Sequence, residues 1–174
     1  MTIADPLYAD WLHQQIRVKP DQLAVHDLSA ERCFTWQQLN DRVDALAHRL
    51  IHEGIAGGDR IAYLGLNSSD VIEIFFAATR IGAIYVPLNF RLTAPELTYI
   101  LGDCAPSAVF YDQAFKAVVE EIDAAAMPQL SVETTLDGGD SAYEACLMTN
   151  EAALQAAPAN GDTQSMIMYS SGTT

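Results

Sequence analysis

The chain has 174 residues, half of them hydrophobic, and a formal net charge of −14 at neutral pH. This apolar fraction predicts a packed globular core and argues against intrinsic disorder. The acidic balance argues against nucleic acid and anionic membrane surfaces as partners, because both are bound by clustered lysine and arginine side chains.

The first 35 residues predict a short helix followed by a hairpin. Apolar side chains at helical spacing favour a helix over residues 7–18, and Pro20 ends it. Residues 23–27 and 32–35 have the composition of two short strands, and the four residues between them predict a hairpin turn.

Residues 36–136 alternate between helical and strand patterns. Thr35 and Gln38 form a capping box that starts a long helix, and Gly54 stands where this helix needs a C-terminal cap. A second capping box, Thr93 with Glu96, starts another helix. Apolar periodicity predicts further helices over residues 71–81 and 114–122. The apolar stripe of the first helix consists of Leu39, Val43, Leu46, Ala47, Leu50 and Ile51.

Short apolar runs between these helices predict strands, and Pro87 closes the second of them. Residues 67–69 supply a turn and the N-cap of the helix that follows the first strand. Strands that are almost wholly apolar are covered on both faces, as in a parallel sheet flanked by helices. The sequence therefore predicts an α/β fold with a mainly parallel sheet, whose ligands bind at the carboxyl ends of the strands. The predicted strands are residues 60–66, 83–86, 108–111 and 130–132.

Residues 137–164 are the least regular part and predict a loop with one short helix over residues 143–147. Residues 165–174 predict a short buried strand, Met166 to Tyr169, that leads into small hydroxyl residues around Gly172. Serine and threonine hydroxyls and the N–H groups around a glycine suit a phosphate. The Walker-type lysine is absent, and by composition alone such a stretch is more typical of a flexible linker.

Cysteine and histidine positions give no sign of a disulfide framework or a metal site. Cys33, Cys104 and Cys146 are far apart and odd in number, which predicts reduced thiols in a cytoplasmic protein. His48 and His52 are four residues apart but lack the glutamate of a zinc-binding helix motif. The sequence has neither a signal-peptide pattern nor an apolar run of membrane-spanning length.

Six short motifs, in order and with matching spacing, resemble the N-terminal part of the AMP-forming acyl-CoA synthetases. This family belongs to the adenylate-forming superfamily, together with luciferases and peptide-synthetase adenylation domains. The last motif resembles the start of the family's phosphate-loop signature. The motifs are Phe34-Thr-Trp-Gln-Gln-Leu39, Gly58-Asp-Arg-Ile61, Leu66-Asn-Ser68, Arg80-Ile-Gly-Ala-Ile-Tyr-Val-Pro-Leu-Asn89, Pro95-Glu-Leu97 and Tyr169-Ser-Ser-Gly-Thr-Thr174.

The resemblance implies a two-step ligase that uses ATP, Mg²⁺ and coenzyme A. A carboxylic acid, fatty or aryl, attacks the α-phosphate of ATP, pyrophosphate leaves, and the acyl-adenylate then transfers its acyl group to the thiol of coenzyme A. The family's ATP-phosphate contacts fall on five residues of this sequence, Ser170, Ser171, Gly172, Thr173 and Thr174.

The resemblance also implies that much of the active site is missing from these 174 residues. The family's lysine after the loop, its magnesium-binding glutamate and the catalytic lysine of its C-terminal domain have no counterpart here. We therefore expect residues 1–174 to be an incomplete N-terminal subdomain, with no catalytic residue or metal ligand and no ligase activity by itself. Residues 93–174 contain one basic residue, Lys116, against 12 acidic ones, so the cations for a nucleotide must come from elsewhere.

Other matching residues have sufficient structural roles. Asn67 caps a helix, Gly82 ends one and Pro87 closes a strand, and these roles are favoured over ligand contact. Arg91, an exposed cation shortly after a strand, is a weaker candidate for a contact with a phosphate of coenzyme A.

Two alternatives remain open at this point. In the first, the fold is the same but the acyl group passes to a carrier protein, as in a peptide-synthetase adenylation domain. In the second, the chain is a non-catalytic folding or dimerisation module, and a homodimer is compatible with either reading.

Overall fold

The computed structural model describes residues 11–135, 141–147 and 163–170. Predictions for residues 7–10, for most of the 137–164 loop and for residues 171–174 lie outside the described residues. No helix in the described ranges is both long enough and apolar enough to cross a membrane.

The helices are α1 (Trp11–Val18), α2 (Trp36–His52), α3 (Ser69–Arg80), α4 (Ala94–Cys104), α5 (Lys116–Glu120) and α6 (Ala142–Cys146). The strands are β1 (Leu23–Asp27), β2 (Arg32–Thr35), β3 (Arg60–Leu64), β4 (Ile84–Leu88), β5 (Ala108–Asp112) and β6 (Leu130–Thr134).

Strands β1 and β2 form the predicted hairpin. They pair antiparallel, with Asp27 opposite Arg32. The Asp27 carboxylate accepts hydrogen bonds from the N–H groups of Ser29 and Ala30, each at 3.1 Å, and so stabilises the turn. Glu31 completes the turn in the left-handed region, with φ of 52°.

Strands β3 to β6 form one parallel sheet in the order β4-β3-β5-β6. At the centre of the sheet, Ile61 of β3 lies between Tyr85 of β4 and Ala108 of β5. The predicted α/β fold with a parallel sheet is confirmed.

Helices cover both faces of this sheet, and successive residues of a strand face different cores. Ile61 and Tyr63 of β3 pack in the core beneath α2 and α3. Ala62 and Leu64 of the same strand pack in the core beneath α4 and α5. This alternation follows from the two-residue period of a strand and explains why β3 is apolar at every position after Arg60.

The capping box of α2 is present as predicted. The Thr35 hydroxyl accepts from the N–H of Gln38 at 3.2 Å, and the Gln38 side chain accepts from the N–H of Thr35 at 2.9 Å. The predicted stripe is buried except for Ile51, which is 47% exposed. Ile51 lies twelve residues after Leu39, so it is rotated by about 120° around the helix axis and leaves the buried face.

Pro87 lies inside β4, so the prediction that it closes the strand is wrong. Tyr85, two residues earlier, directs its N–H and C=O toward Ser165 and Ile167 on the outer side of β4. Residue 87 faces the same outer side, because hydrogen-bonding groups alternate along a strand. No hydrogen bond to β3 is therefore lost at this proline.

Three other boundaries differ from the predictions. Strand β3 ends at Leu64 rather than at residue 66. The Ser68 side chain does not cap α3; the N–H of Ser69 instead donates to the Asp27 carboxylate at 2.8 Å. The helix predicted over residues 114–122 is a 3-10 turn, capped by the Asp112 carboxylate at the N–H of Ala114, followed by the short helix α5.

Candidate phosphate-binding site

Residues 163–170 run parallel to β4 along its outer edge. The N–H of Tyr85 donates to the carbonyl of Ser165 at 3.0 Å, and the N–H of Ile167 donates to the carbonyl of Tyr85 at 2.9 Å. The predicted strand from Met166 to Tyr169 is reduced to a single bridge at Met166. Its predicted burial is also wrong, since Met166 and Met168 are 41% and 72% exposed.

The end of this pairing has a direct cause in the sequence. A parallel ladder would continue with a hydrogen bond from the N–H of residue 87 to the carbonyl of Ile167. Pro87 has no N–H group, so this bond cannot form. Backbone pairing therefore fixes the terminal segment only as far as Ile167.

Ser170 lies beside a cavity of about 540 Å³ at the carboxyl end of β4. It is exposed, and it is the only one of the five predicted phosphate contacts within the described residues. Ser171, Gly172, Thr173 and Thr174 lie outside them. The described part of the lining consists of Asn89, Leu92, Pro95, Glu96, Tyr99, Ile100, Tyr169 and Ser170.

The charge of this lining comes from Glu96. Its carboxylate accepts from the backbone N–H of Thr93 at 2.8 Å and from the Thr93 hydroxyl at 2.7 Å. These two hydrogen bonds lower the pKa of Glu96, the backbone one contributing more. The described lining has no lysine or arginine, whereas Arg91 lies just after Asn89 and places its guanidinium 5.5 Å from the Phe90 ring centre. The described lining thus offers an anion hydrogen-bond donors and no cation.

Tyr169 connects the terminal segment to helix α4. Its ring packs against the core beneath α4, and its hydroxyl donates a hydrogen bond of 2.5 Å to the Asp103 carboxylate. Burial and this hydrogen bond both raise the pKa of Tyr169, burial more strongly. The hydroxyl therefore keeps its proton, and its donor role, throughout the physiological pH range.

A second polar group lies at the carboxyl ends of β3 and β5, around Gly65. A Cβ atom at Gly65 would lie 2.4 Å from the Tyr63 hydroxyl oxygen and 2.9 Å from the Cβ of Asp112. The Tyr63 hydroxyl donates to the carbonyl of Leu66 at 3.1 Å. Sequence analysis did not identify this close contact between neighbouring strands.

A network of ion pairs lies on the α2 and α3 side of the sheet. Arg32 donates to the Asp70 carboxylate at 2.7 Å and to Glu144 at 3.1 Å. Arg42 donates to Glu73 and to Glu144, each at 2.7 Å. Burial raises the pKa of both Asp70 and Glu73, although the arginines act in the opposite direction. The network joins the hairpin, α2, α3 and α6.

This network was also missed from the sequence, although a signal for it exists. Apolar periodicity predicts a helix over residues 71–81, and the helix found there also contains the charged residues Asp70, Glu73 and Arg80. Charged residues in a buried helix need partners, because an unpaired charge is costly to remove from water. Those partners include Asp44, 2.7 Å from Arg80, and Tyr143, whose hydroxyl donates to Glu73 at 2.8 Å.

Cysteine, histidine and carboxylate side chains form no metal-binding cluster in the described part of the chain. No group of three or more of them in those ranges could hold a metal ion. Cys33 is exposed, Cys104 and Cys146 are buried, and all three are free thiols.

Residues 12–174 match the protein family described as AMP-binding enzyme. An indoleacetate–CoA ligase from Aromatoleum aromaticum is 34% identical over 168 residues, which cover 95% of this chain and 32% of the relative. A fatty acid–acyl-carrier-protein ligase from Streptomyces coeruleorubidus is 38% identical over 146 residues, covering 82% of this chain and 27% of the relative. The chain thus spans about a third of the length of these curated relatives.

Comparison of the fold with solved structures also finds acyl-CoA synthetases. A solved fatty acyl-CoA synthetase from Mycobacterium tuberculosis superposes with a TM-score of 0.81 and 33% sequence identity. The match covers 96% of this chain and 34% of that one. Sequence and fold therefore agree, and the chain belongs to the AMP-binding enzyme family.

Proposed function

We propose that this chain is the N-terminal portion of an ATP-dependent, AMP-forming acyl-CoA synthetase. The enzyme activates a fatty or aryl carboxylic acid as an acyl-adenylate and transfers the acyl group to coenzyme A. Family membership supports this proposal. The supporting structural observation is the position of Ser170, which is exposed beside a cavity at the carboxyl end of β4, where α/β folds bind ligands.

In this proposal Ser170, Ser171, Gly172, Thr173 and Thr174 contact the phosphates of ATP. A carboxylate oxygen of the acid attacks the α-phosphorus, and the bond from that phosphorus to the bridging oxygen breaks, so that pyrophosphate leaves with the electron pair. Hydroxyl and backbone N–H donors hold the departing pyrophosphate in line and stabilise its growing negative charge. The thiol of coenzyme A then attacks the acyl carbonyl, and AMP leaves.

Magnesium and coenzyme A are part of the proposal for the whole enzyme. Bound Mg²⁺ would neutralise phosphate charge, and no ligand for it is assigned to the described residues. Arg91 is proposed as a contact for a phosphate of coenzyme A, because its side chain is exposed just after the cavity residue Asn89.

Transfer to a carrier protein is the second candidate function. It is favoured by the similarity to a ligase whose acceptor is an acyl-carrier protein. The two functions differ in the acceptor thiol only, so ATP and the carboxylic acid are used identically in both.

For the 174-residue chain itself we propose a cytoplasmic location and no ligase activity. The alternative proposal is not enzymatic: in it the chain is a non-catalytic folding module that forms a homodimer. Size-exclusion chromatography with light scattering distinguishes it, because a monomer at high concentration would contradict the dimer.

Binding of ATP to the isotope-labelled chain, followed by the amide signal of Ser170, tests the assignment of Ser170. We expect ATP to shift this signal and Ser170→Ala to weaken binding about tenfold to a hundredfold, since a hydrogen bond to a charged group is lost. Ser131→Ala, which removes an exposed hydroxyl from β6, is the matched control. Equal ATP affinity in the two variants would exclude Ser170 as a phosphate contact.

A further inference from the structure

The position of Ser170 is not set by the sheet. Among the described residues, backbone hydrogen bonds from β4 to this segment end at Ile167, and Pro87 cannot donate the next one. Two residues, Met168 and Tyr169, lie between Ile167 and Ser170. A different contact must therefore fix the chain where it meets the cavity.

The hydrogen bond between Tyr169 and Asp103 is placed to do this. Side chains alternate along the segment: Ile167 and Tyr169 pack against the core beneath α4, whereas Met166 and Met168 are largely exposed. Tyr169 directly precedes Ser170, and its hydroxyl reaches the Asp103 carboxylate at 2.5 Å. A bond to an ionised acceptor is stronger than one between neutral groups.

Helix α4, which carries Asp103, is itself held against the sheet. Its first turns line the cavity through Pro95, Glu96 and Tyr99, and Asp103 lies in its last turn. The guanidinium of Arg60, on β3, donates to the carbonyls of Cys104 and Ala105, each at 2.7 Å, and so ties the end of α4 to the sheet. Helix α4 thus contributes part of the cavity lining and also carries the carboxylate that Tyr169 contacts.

We propose that Asp103 is a positioning residue for Ser170. Its carboxylate holds the Tyr169 hydroxyl and thereby fixes the Ser170 backbone at the edge of the cavity, in the place from which it contacts an ATP phosphate. This inference rests on the proposed function of Ser170 and adds to it a residue 66 positions away from Tyr169 in the sequence.

The structural part is tested by backbone ¹⁵N relaxation of the purified chain. Tyr169→Phe and Asp103→Ala are expected to lower the heteronuclear NOE of the Ser170 amide and to leave that of Ile167 unchanged. Asp41→Ala is the matched control, since Asp41 is an exposed helical aspartate that accepts a 2.7 Å bond from Gln37 on its own helix. An unchanged NOE at Ser170 in both variants would overturn the inference.

The functional part is tested by ATP affinity. Each single variant is expected to weaken ATP binding about threefold to tenfold, the effect of losing one hydrogen bond. The double variant is expected to be no weaker than either single one, because both changes remove the same contact. Additive effects, or variants that bind ATP as well as the control does, would overturn the inference. If the unaltered chain fails to shift at Ser170 with ATP, the proposed function fails instead, while the NOE still decides the role of Asp103.

Discussion

Gly65 occupies a position where a single methyl group is not tolerated. An alanine Cβ would approach the Tyr63 hydroxyl oxygen to 2.4 Å and the Cβ of Asp112 to 2.9 Å. Tyr63 and Asp112 are both buried, so neither can move without disturbing its neighbours. We expect Gly65→Ala to lower the free energy of unfolding by about 1–3 kcal/mol, as overpacking does, and urea denaturation measures this.

Gly102→Ala is the control for this prediction. Gly102 lies within α4, and a Cβ there would meet no atom within 4 Å apart from its chain neighbours and the nearby backbone of its own helix. Alanine favours a helix over glycine by about 1 kcal/mol, so this variant should be at least as stable as the unaltered chain. A Gly65→Ala protein as stable as the Gly102→Ala protein would refute the proposed clash.

Gly54 and Gly82, which end helices, can be recognised from the sequence. Gly65, which contacts a neighbouring strand, cannot. Gly54 and Gly82 follow helices and have φ of 84° and 75°, as a helix-ending glycine requires. The constraint on Gly65 arises because β3 and β5 are neighbours, which brings Asp112 beside Tyr63. The sequence near Gly65 contains no pattern that predicts the pairing of β3 with β5.

At the level of elements, Asp27 joins the hairpin to α3. Besides the turn N–H groups, its carboxylate accepts from the N–H of Ser69, the first residue of α3, at 2.8 Å. Asp27→Ala should leave the buried N–H of Ser69 unpaired and lower the free energy of unfolding at neutral pH by about 1–3 kcal/mol. Chemical denaturation measures the change, and the exposed Asp41→Ala variant is expected to be nearly neutral.

The contribution of Asp27 also depends on pH. Burial raises the pKa of Asp27, but hydrogen bonds from Ser69, Ala30 and Ser29 outweigh it, so the pKa falls below 3.8. A carboxyl with a lowered folded pKa stabilises the fold above its unfolded pKa and loses this effect as the pH drops through the folded value. The stability difference between Asp27→Ala and the unaltered chain should therefore shrink below about pH 3.8. A constant difference down to pH 2 would contradict this account.

The two capping boxes and the long helices were predictable because their partners are three or four residues apart. The contacts that join elements were not. Asp27 and Ser69 are 42 residues apart, and Arg32 and Glu144 are 112 apart. The sequence predicted a turn and an N-cap at residues 67–69, whereas the side chain that caps α3 is Asp27 of β1. Apolar periodicity predicts the helices and strands. The way they pack against one another also depends on contacts between buried charged groups that are far apart in the sequence.

For the molecule as a whole, strand and helix alternation was sufficient to predict the α/β class, because each apolar strand is covered on both faces. The candidate site was predicted less fully. Hydroxyl composition makes Ser170 a candidate phosphate contact, while the cavity beside it requires α4 and the terminal segment to meet. The hydrogen bond from Tyr169 to Asp103 is part of that contact, and it does not follow from a local pattern because the two residues are 66 positions apart.

The distribution of charge over the whole chain leads to the last prediction, that the purified chain does not catalyse ATP–pyrophosphate exchange. Residues 93–174 have a single basic residue, Lys116, against 12 acidic ones. Its ammonium lies 3.1 Å from the Glu133 carboxylate. Reaction at the α-phosphate builds negative charge on pyrophosphate, and hydrogen bonds at Ser170 alone would stabilise too little of it.

Incorporation of labelled pyrophosphate into ATP, with indoleacetate or a long-chain fatty acid as substrate, measures this exchange. We expect no incorporation above that of a protein-free blank, while a full-length acyl-CoA ligase serves as the positive control. Exchange by the chain that is lost in Ser170→Ala and kept in Ser131→Ala would contradict the prediction. It would also show that the loop stabilises the departing pyrophosphate without a cation from elsewhere in the enzyme.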